Sequence, residues 1–248
     1  MNTRDFLRPL AKTVDHLKAL PGRQLSRLFA SRGGLPLRTT EVWLTNRSGY
    51  RIAACLHEPD DSLVRPAVLL VPGAGESGTS FCNLGGLVGA DELASLGLRV
   101  LHFAPVGRGA TWGHDDYCGR QGQDSCRAAL ECLHATRGVD PARVVVLSFS
   151  LGIALAAPVL AEHGKRLGTH ALLDWEGTHD RASMEALGPR PPAAEASERE
   201  DPHRFWMVRD PSLPLGQLPC PHHRLKAGRT QAISNRFIRG QLRDLFEL

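Results

Sequence analysis

The feature that most constrains the fold is the stretch from Arg143 to Leu160, which reads RVVVLSFSLGIALAAPVL. An apolar run leads up to Ser150, as expected of a strand buried in a parallel sheet. Small apolar residues follow Gly152 and suit a buried helix. The stretch therefore predicts a strand that turns sharply into a helix at Ser150. The plainer alternative is an ordinary strand–turn–helix unit whose serine is merely exposed.

The composition is that of a globular protein with a sizeable core. Of the 248 residues, 42% are hydrophobic and 23% are charged, and the formal net charge is +4. At this length one α/β domain is the default. So small a charge excess gives little reason to expect a nucleic-acid partner, and we expect none. The six cysteines lack CxxC spacing, which indicates free thiols in a reducing compartment and hence a cytoplasmic protein.

The N-terminal region has no membrane-spanning or secretory character. No apolar run reaches the roughly 18 residues that cross a bilayer, and a signal-peptide core is absent. Residues 1–34 instead form a basic amphipathic arm, in which apolar residues recur at helical spacing between arginines and lysines. We expect this arm to pack as a helix on the domain formed by residues 35–248. A membrane-surface or partner helix is the alternative, without stable membrane insertion.

Strand and helix patterns alternate along residues 35–248. Such alternation predicts an α/β fold with a mainly parallel sheet of about seven strands and helices on both faces. The predicted strands are 39–46, 50–59, 66–73, 98–105, 143–149, 169–176 and 221–228. The predicted helices include 79–97, 124–137 with Asp124 as its N-cap, the helix after Ser150, and 232–248.

A glycine-rich loop, Pro72 to Gly78, follows the first buried strand. Glycines let the backbone approach a ligand closely. The loop has neither the Gly-Lys-Ser/Thr ending of a phosphate-binding loop nor the GxGxxG pattern, so it does not predict a nucleotide site. A plain glycine-rich turn is the alternative.

Residues 182–214, called the excursion below, interrupt the alternation with a polar, proline-rich segment that ends in aromatic residues. We interpret it as a small lid insertion in which Phe205 and Trp206 line or cover an apolar cleft near Ser150. A flexible surface loop is the equal alternative.

The loop after strand 98–105 does not predict a metal site. His114, Asp115 and Asp116 are adjacent in the sequence and lack the ligand spacing of a helix or hairpin. We therefore expect them to lie in a solvated loop.

The order of elements resembles the α/β-hydrolase superfamily over about residues 39–230. Two motifs carry the resemblance: Ser148–Gly152 is a variant of the Gly-x-Ser-x-Gly nucleophile elbow, and Pro72–Gly75 lies where relatives have a His-Gly-x-Gly loop. The resemblance implies a serine esterase, lipase or peptidase-like hydrolase that needs no cofactor. It also implies an oxyanion hole made by the N–H groups of Ala74 and Leu151.

The chain departs from the family pattern where the other catalytic groups belong. The family order is Ser, then Asp or Glu, then His, yet Ala227–Gln231 contains no carboxylate and no histidine follows His223. His222 and His223 lie at the start of the last predicted strand, away from Ser150, and are poor candidates for the base. The C-terminal part is therefore expected to be divergent or shortened. Ala104 and Val106 also replace an Asp and an Arg that relatives often carry.

Residues at the end of strand 169–176 are the substitutes. Asp174 or Glu176 lies near an acid position that some relatives use, and His179 follows in the next loop. Two functions stay open. One is a serine hydrolase that cleaves small carboxylic esters, as a carboxylesterase does, through an acyl-enzyme on Ser150. The other is a catalytically inactive, hydrolase-like binding protein.

Overall fold

The computed structural model describes residues 35–82, 88–226 and 235–247. The arm predicted at 1–34 and the segment 227–231 lie outside the described residues. Within the described ranges, seven strands form one sheet: β1 (Leu37–Thr45), β2 (Arg51–Pro59), β3 (Arg65–Val71), β4 (Arg99–Phe103), β5 (Val139–Phe149), β6 (Thr169–Trp175) and β7 (His222–Leu225).

The sheet is mixed but mainly parallel. Its spatial order is β1-β2-β4-β3-β5-β6-β7. β1 and β2 form an antiparallel hairpin, and β2 also pairs antiparallel with β4. The pairs from β4 through β3, β5 and β6 to β7 are all parallel. The predicted α/β fold and its mainly parallel sheet are therefore confirmed.

Helices cover both faces of the sheet. Buried side chains of α2 (Arg120–Ala135) and α3 (Ile153–Leu167) pack with alternate residues of β3 and β5, such as Leu69 and Val146. The other face packs against α1 (Ala90–Ala94) and α8 (Asn235–Phe246) through residues such as Leu70 and Leu147. Because both faces are covered, the central strands are continuous apolar runs, the pattern that predicted them.

The excursion is helical. It contains most of α4 (Arg181–Glu185), then α5 (Pro192–Glu200) and α6 (Pro202–Arg209), and it runs into α7 (Ser212–Leu215). Phe205 and Trp206 are buried in the same core cluster as residues of α3. The indole N–H of Trp206 donates to Glu198 at 2.7 Å. Whether the excursion acts as a lid stays a prediction.

Helix α2 begins one turn earlier than predicted, and Asp124 is not its N-cap. The N-cap is Gly119. The carboxylate of Asp116 accepts from the backbone N–H groups of Gly119, Gln121 and Gly122 at 2.8–3.3 Å, which supplies partners for the first N–H groups of the helix. Asp124 instead accepts from Arg127 and from Ser48.

The described part of the chain contains no helix that combines the length and apolarity required to cross a bilayer.

Arg209 ties the excursion to the rest of the domain. Its buried guanidinium donates to the carbonyls of Asp116 and Tyr117 at 2.8–3.2 Å and to that of Phe205 at 2.9 Å. It also lies 3.8 Å from the centroid of the Phe205 ring.

We expect Arg209→Met to lower the free energy of unfolding by about 2–4 kcal/mol, because buried carbonyls lose their donors. Urea denaturation of the full chain measures the change. Arg204→Met, on the exposed face of the same helix, is the control and should change it by less than about 0.5 kcal/mol. Equal effects of both substitutions would show that Arg209 does not hold the excursion.

Candidate active site

Ser150 occupies a strained turn at the end of β5. Its φ is 49°, in the left-handed region that non-glycine residues rarely adopt. It begins a 3-10 turn, Ser150–Gly152, that continues into α3. A Cβ at Gly152 would lie 2.7 Å from the carbonyl oxygen of Val71, so only glycine allows this close passage. The strand–serine–helix geometry that the motif predicts is present here.

The glycine-rich loop after β3 lies against this turn. A Cβ at Gly73 would be 3.3 Å from the Cβ of Ser150. Ala74, the next residue, is exposed. Leu151 follows Ser150 at the start of the 3-10 turn, where N–H groups have no partner within the turn. The structure thus brings the two predicted oxyanion donors to loops that flank Ser150.

Arg108 fixes the glycine-rich loop, and sequence reasoning missed it. This buried guanidinium donates to the carbonyl of Gly73 at 2.8 Å and to both carboxylate oxygens of Asp115 at 2.8 and 3.1 Å. The expectation that Asp115 and Asp116 lie in a solvated loop is therefore wrong. Asp115 is an ion-pair partner and Asp116 binds the start of α2, whereas His114 is exposed.

Glu76 makes a hydrogen bond within the same loop. Its Oε2 accepts from the N–H of Gly73 at 3.3 Å. Burial raises the pKa of Glu76 above its usual range, because a charged carboxylate is costly where water is excluded. Gly73 is thus bound at both of its backbone groups: Arg108 donates to its carbonyl oxygen, and Glu76 accepts from its N–H.

A buried aspartate at the end of the neighbouring strand is paired with a partly exposed histidine. Asp174 is fully buried and pairs in register with Ser148, two residues before Ser150. Its Oδ2 is hydrogen-bonded to Nε2 of His179, whose side chain is 21% exposed. The hydroxyl of Ser148 donates to Oδ1 at 3.5 Å. Of the two predicted acids, Asp174 contacts the histidine, while the side chain of Glu176 is exposed.

The hydrogen bond of His179 decides which ring nitrogen can serve as a base. Nε2 is engaged by Asp174, so Nδ1 is the nitrogen that remains to take a proton. Parallel strands lie about 4.8 Å apart, and Ser150 and His179 follow the ends of two neighbouring strands. Within the described residues, no hydrogen bond yet joins Ser150 to His179.

His222 is closer to this pair than its position in the sequence indicates. It lies at the start of β7, as expected, but its Nε2 is 3.7 Å from Oδ2 of Asp174, and its ring centroid is 5.6 Å from that of His179. Nε2 is buried without a hydrogen-bond partner among the described residues. Ligand atoms of Asp174, His179 and His222 lie within 4.8 Å of one another, a donor set that could also hold a zinc ion.

Comparison with solved structures places this architecture among known folds. No protein-family profile and no curated protein matches the sequence. An acetyl xylan esterase from Paenibacillus sp. R4 aligns with a TM-score of 0.60 and 16% identity over 91% of each chain. An esterase of Pyrococcus furiosus aligns with a TM-score of 0.58 and 13% identity, covering 92% of this chain and 80% of that one. Brefeldin A esterase, a bacterial homologue of human hormone-sensitive lipase, aligns with a TM-score of 0.56 and 15% identity, covering 88% and 77%.

Gly177 leaves room for the Asp174 carboxylate. A Cβ at this position would lie 2.0 Å from Oδ1 of Asp174. We expect Gly177→Ala to displace the carboxylate and to lower the free energy of unfolding by about 1–3 kcal/mol, as overpacking does. The measurement is chemical denaturation. In Gly216→Ala, the control, the new methyl group meets only one carbonyl at 3.5 Å; a loss as large there would contradict the steric explanation.

Proposed function

Because the chain has the α/β-hydrolase fold, we propose that it is a serine hydrolase that cleaves small carboxylic esters through an acyl-enzyme on Ser150. One observation carries the proposal: the strained Ser150 turn adjoins the Gly73 loop, and the strand next to it ends in the Asp174–His179 pair. In a nucleophilic triad a histidine oriented by a carboxylate takes the proton of a serine, and we assign these roles to His179, Asp174 and Ser150.

The proposed reaction has two halves. Ser150 Oγ attacks the ester carbonyl while Nδ1 of His179 takes the hydroxyl proton, and Asp174 stabilises the imidazolium that forms. The alkoxide leaves with the proton from His179, and Ser150 keeps the acyl group. Water then attacks the acyl-enzyme with His179 again as base, releasing the acid. The N–H groups of Ala74 and Leu151 stabilise the oxyanion in both halves.

The proposed substrate class is that of the structural neighbours. The structural neighbours named above are esterases, and a small carboxylic ester is the corresponding substrate proposed here. The chemistry requires no cofactor. We also propose that the protein works in the cytoplasm, since its described cysteines are free thiols.

An inactive, hydrolase-like binding protein is the second candidate. The observation that favours it is the absence, in the described residues, of a hydrogen bond between Ser150 and His179. Catalytic hydrogen bonds are often long before substrate binds and shorten in the complex, so we place the hydrolase first.

Replacing Ser150 tests the nucleophile. We expect the parent protein to hydrolyse short p-nitrophenyl esters and to be labelled at Ser150 by a fluorophosphonate, located by peptide mass mapping. Ser150→Ala should reduce the rate about a thousandfold or more while the melting temperature changes little. Ser150→Gly should be as inactive yet about 1 kcal/mol more stable than Ser150→Ala, because glycine adopts a φ of 49° without strain.

Absence of turnover and of labelling in the folded parent protein would favour the inactive binding protein. Labelling at another residue would contradict the assignment of Ser150.

Replacing His179 tests the base. His179→Ala should lower kcat by at least about a hundredfold, the usual contribution of a general base, and should reduce fluorophosphonate labelling. The control is His203→Ala, whose side chain is exposed on α6 and should leave both unchanged. Full activity in His179→Ala would exclude this histidine as the base.

A further inference from the structure

A second cluster of metal-binding side chains lies on the opposite half of the sheet. Cys55 and His57 are two residues apart on β2 and therefore point to the same face. His102 on β4 is the register partner of Cys55. The ligand atoms of these three residues lie within 4.8 Å of one another. Cys82, at the end of the 3-10 turn Gly78–Phe81, brings its sulfur to 3.1 Å from Nε2 of His102.

The ring nitrogens in this cluster are arranged as in metal sites. Nε2 of His57 and Nε2 of His102 face each other at 3.0 Å. The other nitrogen of His57, Nδ1, lies 2.6 Å from Oδ1 of Asp91 on α1. A carboxylate that accepts from Nδ1–H leaves the lone pair on Nε2, directed into the cluster, and this is how metal-ligating histidines are oriented.

The spacing of the two imidazoles fits a tetrahedral ion. Zinc–nitrogen bonds of about 2.0–2.1 Å at tetrahedral angles separate two ligand nitrogens by about 3.4 Å. The observed separation of 3.0 Å requires a shift of only a few tenths of an ångström. The rings of His57 and His102 are 4% and 5% exposed, so the site is closed, while the exposed Cys82 offers a route for entry.

From this geometry we propose that Cys55, Cys82, His57 and His102 bind one zinc ion, with Asp91 orienting His57. Two thiolates and two imidazoles form a donor set that favours Zn²⁺ over the harder divalent cations. Four protein ligands leave no open position, so the ion is structural. The two cysteines bind as thiolates and release their protons to solvent.

The ion would hold the far end of the glycine-rich loop. Gly78 ends that loop, and a Cβ there would lie 2.3 Å from Nδ1 of His102, so the turn already lies directly on the ring. Binding Cys82 to an ion shared with β2 and β4 fastens this turn to the sheet. The segment that carries Ala74 is then fixed at Arg108 on one side and at the metal on the other.

Cobalt substitution of the full chain tests the site independently of activity. Zinc-depleted protein should bind one equivalent of Co²⁺ and develop a thiolate-to-cobalt charge-transfer band together with strong visible bands of tetrahedral cobalt, which one equivalent of Zn²⁺ removes. Cys55→Ser and Cys82→Ser should each reduce the charge-transfer band to roughly half, since one of two thiolates is lost. Cys132→Ser, a half-buried thiol on α2, is the matched control and should leave the spectrum unchanged.

Asp91→Asn keeps all four ligands and should weaken Co²⁺ binding about 10- to 100-fold, so the proposal does not depend on ligand variants that fail to fold. A folded parent protein without a charge-transfer band would overturn the proposal. So would a band that persists in the Cys55→Ser, Cys82→Ser double variant. Visible cobalt bands without a charge-transfer band, lost in His222→Ala, would place the cobalt at Asp174, His179 and His222. That result would also overturn the proposal.

Discussion

The active-site edge of the sheet depends on one close backbone contact, in which the turn after β5 passes against the end of β3. Gly152 and Gly73 make it possible, since a side chain on either residue would enter the space of the other segment. Ser150, which lies in this contact, has a left-handed conformation with a φ of 49°. Backbone strain of this kind is stored where the surrounding structure holds it in place, often at functional sites.

The backbone architecture could be predicted because its signals are local. Buried central strands read as continuous apolar runs, and the small residues around Ser150 indicate a tight turn. β7 and α8 also lie within the predicted segments. The predicted helix 79–97 is less accurate: its described part contains only a 3-10 turn and the short α1. Gly85, Gly86 and Gly89 lower the helix propensity of this segment, and Gly89 is the N-cap of α1.

The side-chain partners could not be predicted, because they depend on contacts between distant segments. Arg108 binds Gly73, 35 residues away, and no local pattern marks it apart from its place in a glycine-rich loop. Strand direction alone predicts that His222 lies away from Ser150. β7 has only four residues, so its two ends are close together, and a ring at its start still reaches Asp174. Asp174 and His179 could be predicted from the sequence because Asp174 lies near the end of one predicted strand and His179 lies in the loop directly after it.

The proposed acid and base, Asp174 and His179, both lie at or just beyond the end of β6. In the family pattern, acid and base come from two separate strand ends, so both strands must be kept for activity. Here Asp174 and His179 lie five residues apart and are joined directly. Both residues of the pair thus come from β6 and the loop that follows it. In the proposed mechanism, the chain beyond β7 therefore supplies neither the acid nor the base.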